Sequence, residues 1–181
     1  FDSINLRSEE NSLTISADIW LDSFVNNTVI LRQAGGPLNW LLQINNDSNG
    51  INIESQIITS SEYNSVLYPL DNDFLSQWNN ITTTYDSSNV KIYLNGELVA
   101  SSPWSGIIEY DDSASLYMGA YSYDNHYTDG KLDDILIWNT ALDESQLNDF
   151  LNTNNLVNQE SLLANWKFNT GSGNILYDHS G

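Results

Sequence analysis

The stretch DGKLDDILIWNTALDESQLNDFL, residues 129–151, decides the fold. On an extended backbone Ile135 and Ile137 point one way, Leu136 and Trp138 the other. Both faces are apolar, so this strand belongs inside a structure covered on both sides. Two adjacent carboxylates, Asp133 and Asp134, open it, and like charges that close to a core are costly. Asp143 with Gln146 three residues on reads as a capping box. Leu147, Phe150 and Leu151 give the following helix a single apolar side. It is the one convincing helical period in the sequence, so strands and loops are expected around it.

Strand signals fill the rest. Leu13, Ile15, Ala17, Ile19 and Leu21 alternate with Thr14, Ser16, Asp18 and Trp20, a half-buried strand. Phe1 to Arg7 reads as a short strand before it. Thr28–Gln33 and Leu38–Ile44 form a pair split by Ala34-Gly35-Gly36-Pro37. Asn45 to Gly50 is a turn and Ile51 to Ile58 the next strand; Thr59 to Asp73 is polar loop with room for one edge strand. Ile81, Thr83 and Tyr85 alternate again. Val90–Leu94 and Glu97–Ser101 flank Asn95-Gly96, a two-residue hairpin turn whose residues tolerate positive φ. Ala114 to Tyr121 reads as one strand, and Leu162 to Phe168 as the last. Short strands at this spacing predict an all-β, antiparallel two-sheet sandwich with one short helix near the C-terminus.

The chain has 181 residues, and its 40% apolar content suffices for a core. Five Lys and Arg stand against 24 Asp and Glu, a formal charge of −19. That excludes nucleic acid and anionic membrane surfaces as natural partners. The charge reads either as a solvated acidic surface or, in part, as carboxylates holding a divalent cation. No cysteine is present, which removes disulfides, thiol catalysis and Cys-type zinc sites. No apolar run reaches the roughly 18 residues of a membrane span, so membrane insertion is not expected. Phe1 opens in mid-pattern, which reads as a module of a longer chain.

Several of these segments together resemble a known family. They are Leu13-Thr14-Ile15-Ser16-Ala17, Trp78 with Tyr85-Asp86, Val90-x-Ile92-Tyr93-x-Asn95-Gly96, Leu116-x-Met118-Gly119 and the opening stretch. In this order and spacing the chain looks like a laminin-G-like domain of the concanavalin A-like lectin/glucanase superfamily, related to the pentraxins. The resemblance implies a jelly roll. It also places Trp166-Lys167-Phe168-Asn169-x-Gly171-Ser172-Gly173 at the C-terminus, where the family has such a segment at its start. Residues 162–181 are therefore expected to supply the family's first strand to a single domain spanning 1–181; the alternative is that they begin a neighbouring module.

The resemblance implies a structural calcium, with Asp133 from the closing strand and Asn169 and Asp178 from the C-terminal segment as ligands. The plainer reading leaves these as surface groups and turn caps. Pentraxin-type double-calcium binding is not expected, because Gly119 is followed by Ala120-Tyr121-Ser122-Tyr123. The laminarinase-type catalytic pattern is missing too: Glu109-Tyr110-Asp111 is followed by Ala114 where an acid is required. For ligand contact, aromatic rings beside amides and carboxylates are the usual equipment of a sugar site. Tyr121, Tyr123, Asp124, His126 and Tyr127 crowd one loop, Trp104 sits in another, and Trp20 lies on the polar face of its strand. The plainer reading is a loop pinned by its own tyrosines. Trp40, Trp78, Trp138 and Trp166 read as core.

The sequence thus predicts a non-catalytic carbohydrate-binding or adhesion module of a larger extracellular or cell-surface protein, stabilised by calcium. Its partner would be a polysaccharide or cell-surface glycan. The alternative is a protein–protein adhesion or spacer domain with no glycan site.

Overall fold

The computed structural model describes residues 11–180, except 26, 35–37, 60–61, 111–113, 122–125, 154 and 174 and the side chains of 34 and 38. The expected strand at Phe1–Arg7 lies outside the described residues. In chain order the elements are β1 (Leu13–Leu21), β2 (Thr28–Ala34), β3 (Leu38–Asp47), β4 (Gly50–Thr59), β5 (Glu62–Pro69), β6 (Trp78–Tyr85), β7 (Asn89–Leu94), β8 (Glu97–Pro103), β9 (Ser115–Met118), β10 (Ala120–Tyr121), β11 (His126–Tyr127), β12 (Gly130–Trp138), α1 (Glu144–Thr153) and β13 (Leu162–Trp166).

They build a two-sheet antiparallel jelly-roll sandwich. The first sheet runs β13-β12-β1-β6-β7-β8 and the second β5-β4-β3-β2-β9, with β10 and β11 as a separate hairpin. Inward residues of the first sheet (Ile15, Ile19, Ile81, Ile92, Ile135, Ile137) meet Trp40, Leu42, Ile44, Ile53 and Ile57 of the second in one buried core. A second cluster lies on the other side of the first sheet. There α1 sets Leu147 and Phe150 onto Leu136, Trp138, Tyr93 and Leu162. This is why both faces of β12 are apolar: the sandwich core takes one and the helix the other. The helix starts as its sequence requires. Gln146 N–H donates to Asp143 Oδ1, and Asp143 N–H donates to Gln146 Oε1, both at 2.9 Å.

Two local expectations change and one is met. The turn after β3 is shorter than Asn45–Gly50, because the ladder continues to Asp47 opposite Gly50. The polar segment after β4 holds a full edge strand, β5, paired with β4 along its length. The run Ala114–Tyr121 is two strands, broken at Gly119. There the backbone turns aside, with Gly119 N–H donating to Ile30 O and Thr128 N–H donating to Gly119 O. β13 pairs with β12, Ile135 opposite Trp166, and Asp178 bridges to Trp166 on the outer side of β13.

Candidate functional site

A pocket of about 270 Å³ opens at one end of the sandwich, lined by Glu62, Ser88, Pro103, Trp104 and Ser105. Three separate segments build it. Trp104 follows β8, and its N–H donates to Ser88 O at 2.9 Å, which ties it to the β6–β7 turn. The residues beyond are pinned from three sides. Thr59 Oγ1 donates to Ser105 O, Tyr85 OH donates to Gly106 O at 2.6 Å, and Asn11 Nδ2 donates to the same carbonyl at 2.7 Å. The half-buried indole packs against the main core, and its Nε1–H is buried without a hydrogen-bond acceptor. The pocket therefore offers a fixed aromatic wall, one carboxylate and two hydroxyls.

Asp86 holds the turn that carries Ser88 into the pocket lining. Its Oδ1 accepts from Ser88 N–H and Asn89 N–H, and its Oδ2 accepts from Lys91 Nζ at 2.9 Å. Burial pushes the Asp86 carboxyl up. The hydrogen bonds from Lys91, Asn89 and Ser88 outweigh burial, so it titrates below the usual carboxylate range. A depressed folded pKa stabilises the fold above the unfolded value, about 3.9, and that contribution is lost as pH falls through the folded value. Asp86→Ala is therefore expected to cost about 1–2 kcal/mol at pH 7. In paired thermal melts the difference from the parent should shrink below about pH 4; a gap independent of pH would contradict the assignment.

The aromatic loop predicted as the ligand site is at the opposite end. Along β1 and β6, Leu13 pairs with Tyr85 near the pocket and Trp20 with Trp78 at the far end, roughly 25 Å away. The β10–β11 hairpin belongs to that far end, since Thr128 Oγ1 donates to Val29 O near the start of β2. Tyr121 is packed rather than open. Arg32 lies 3.9 Å above its ring, and Tyr117 meets it edge-on at 4.9 Å. His126 Nε2 is 3.3 Å from Asn27 Nδ2, and Tyr127 is exposed. Tyr123 and Asp124 lie outside the described residues.

Trp20 does occupy the polar face of its strand, and it is accompanied there by a residue expected in the core. Trp78 is 46% exposed. The correction follows from strand parity: Ile81 and Tyr85 face inward, so Trp78 shares its side with Asn80, Thr82 and Thr84. Trp20 and Trp78 meet edge-on, with centroids 6.2 Å apart. Lys131 Nζ sits 4.9 Å over the Trp20 ring, and Trp20 Nε1–H donates to Asp22. Trp40, Trp138 and Trp166 are buried as expected.

The three expected metal ligands each have their own surroundings. Asp133 stands opposite Asp18 of β1. Asp178 lies beyond β13, where its Oδ1 accepts from Asn165 N–H and Ser180 N–H as a backbone cap. Asn169 lines a separate pocket of about 170 Å³ with Phe168, Tyr177 and His179. Among the described residues no three acidic or histidine side chains stand in a cation-binding arrangement. Asp133 perturbs its neighbours. Burial first, then the Asp133 charge, pushes the Asp18 carboxyl up against a hydrogen bond from Asn80. Burial, Asp133 and Asp18 push Asp134 up against Lys167.

Fold and surface together define a lectin-like jelly roll. A family model described as the concanavalin A-like lectin/glucanases superfamily, of laminin-G type, matches residues 2–148, and the chain belongs to that family. No curated protein matches the chain. Among solved structures, a candidate carbohydrate binding protein from Bacteroides ovatus is 25% identical with a TM-score of 0.73, over 95% of this chain and 50% of that one. The chain thus spans half the length of that relative. Domain 4 of an extracellular arabinanase from Geobacillus stearothermophilus, solved with arabinotriose, is 21% identical with a TM-score of 0.60, over 78% of this chain and 66% of that one. A heptameric SAP-like pentraxin from Limulus polyphemus is 17% identical with a TM-score of 0.61, covering 78% and 70%. The last two share the fold.

Proposed function

We propose that this chain is a non-catalytic carbohydrate-binding module of an extracellular or cell-surface protein, and that the Trp104 pocket takes the sugar. The observation that carries this reading is the pocket itself, a rigidly held indole facing a space that also offers Glu62, Ser88 and Ser105. The apolar face of a pyranose or furanose ring stacks on an indole, while hydroxyls exchange hydrogen bonds with the carboxylate and serines. The likeness to a carbohydrate binding protein and to an arabinanase domain solved with arabinotriose supports the same class of ligand. A formal charge of −19 disfavours uronic and sulfated polymers, so the ligand is a glycan without acidic groups.

Trp104→Ala is expected to weaken retention by neutral polysaccharide in native affinity gels at least tenfold. Unchanged retention by that variant, with the parent fold intact, would remove the pocket from the account. Calcium enters only as a proposal about stability. Asp18, Asp133 and Asp134 repel one another, and a divalent ion bound near them would relieve that repulsion. Melting in excess chelator and in added calcium tests this, and identical midpoints would dismiss it.

A further inference from the structure

The outer face of the first sheet is only partly covered by α1. What α1 leaves open is organised in two rows. Across β12, β1 and β6 the register places Lys131, Trp20 and Trp78 side by side, and the next row inward is Asp133, Asp18 and Asn80. The first row is aromatic and ends in an exposed indole. The second is polar and tied down: Asn80 Nδ2 donates to Asp18 Oδ1 at 2.8 Å and to Ser16 Oγ at 3.0 Å, and Thr82 Oγ1 donates to Asn80 Oδ1 at 2.9 Å. Asn95 Oδ1 accepts from Asn80 N–H and fixes the far side.

Nearly half of the Trp78 surface is open to solvent. Trp78 lies outside the main core, and its contact is another half-buried indole whose own N–H is already satisfied by Asp22. Lys131 occupies a position over Trp20, which leaves Trp78 as the ring with an accessible surface. Three strands span about 10 Å, so the row is long enough for more than one sugar ring. The charges beside it set the class of ligand. Asp18, Asp22, Asp133 and Asp134 face one lysine at the row and Lys167 nearby. An acidic polymer would be repelled there.

We propose that Trp78, with Trp20 and the Asp18–Asn80 row, is a second contact surface for a polysaccharide chain without acidic groups, separate from the Trp104 pocket. It rests on the carbohydrate-binding reading and extends it. The two surfaces lie at opposite ends of the first sheet, so one module grips a long polymer at two places or joins two polymers. Two weak contacts on one chain reinforce each other through effective concentration, and the gain vanishes for short oligomers that cannot reach both.

The test uses the 181-residue protein with Trp78→Ala, Trp104→Ala and the double variant. Each is run in native gels cast with β-glucan, xylan, mannan, arabinan or chitosan, with alginate as the acidic control. Thermal melts accompany every variant; Trp78 is exposed, so its loss should leave the midpoint near the parent's. The expected result is that Trp78→Ala weakens retention by one of these polymers about tenfold without weakening binding of a trisaccharide of the same sugar, while alginate retains nothing. Parental retention of Trp78→Ala on every polymer overturns the second surface and leaves the pocket standing if Trp104→Ala is weakened. Loss in Trp78→Ala alone supports the second surface and overturns the pocket. No retention of the parent on any polymer overturns both.

Discussion

Replacing Trp138 with alanine is expected to lower stability by about 4 kcal/mol, or roughly 10 °C in Tm for a domain of this size. The side chain is fully buried and belongs to the second cluster, between β12 and α1. It meets Phe150 edge-on at 5.7 Å, and its Nε1–H donates to Val157 O at 3.0 Å. Alanine would remove the ring that holds α1 to the sheet, strip Phe150 of its partner and leave the Val157 carbonyl without its donor. The cavity could close only if α1 moved, and α1 is anchored at its start by the capping box and by Leu142 N–H donating to Thr14 Oγ1. Trp138→Phe keeps an aromatic ring and loses the hydrogen bond, so its cost should be nearer 1–2 kcal/mol. Thermal melts of the two variants check this; a loss below about 1 kcal/mol for alanine would mean the helix is not held by this ring.

Gly130→Ala is expected to be nearly as damaging, for a different reason. A Cβ at this position would overlap the Trp20 carbonyl oxygen, with the Leu21 Cα also in close contact. These are backbone atoms of the neighbouring strand, so no side-chain rotation relieves the clash. β1 and β12 would have to part at Leu21 opposite Gly130, and with them Asp22 N–H from Asp129 O and Ser23 Oγ from Asp129. Overpacking of this kind costs about 3 kcal/mol. The variant should melt several degrees lower, and the Asp22 amide should lose its hydrogen-exchange protection. Lys131 would also leave its place over Trp20. A parental Tm with a protected Asp22 amide would contradict the close approach of the two strands.

These two residues lie in the stretch from which the fold is legible. Alternation along β1 and β6 fixes which side chains face the core, and two-sided apolarity in residues 135–138 requires cover on both faces. The capping residues announce α1 because they act within one turn of chain. What was not legible depends on partners distant in sequence. Trp78 looks like core by residue type, yet parity with Ile81 and Tyr85 puts it outside, and that signal was present. Glu62 and Ser88 give no local sign of joining Trp104, because loops from β4–β5, β6–β7 and β8 meet only when the sheets stack. The neighbour of Asp133 is likewise chosen by strand order. β12 lies beside β1, so Asp133 meets Asp18, while β13 separates it from Asp178. β5 was legible only as room for an edge strand, without bounds, because an edge strand packs one face only. Its sequence mixes buried Val66 with exposed Tyr63 and Leu67.

The most direct test of the carbohydrate reading follows the six indole N–H resonances during titration with a neutral oligosaccharide. Each tryptophan gives one such signal, and Trp104→Phe assigns the one that matters. The Trp104 indole is half-buried at the pocket wall and its Nε1–H has no acceptor, so a sugar ring seated there must change its surroundings. The expected result is a saturable shift of the Trp104 resonance, with the buried Trp40 and Trp138 signals unmoved. A Trp104 signal that stays in place with every neutral sugar, at concentrations where the chain binds the corresponding polymer, would contradict the account.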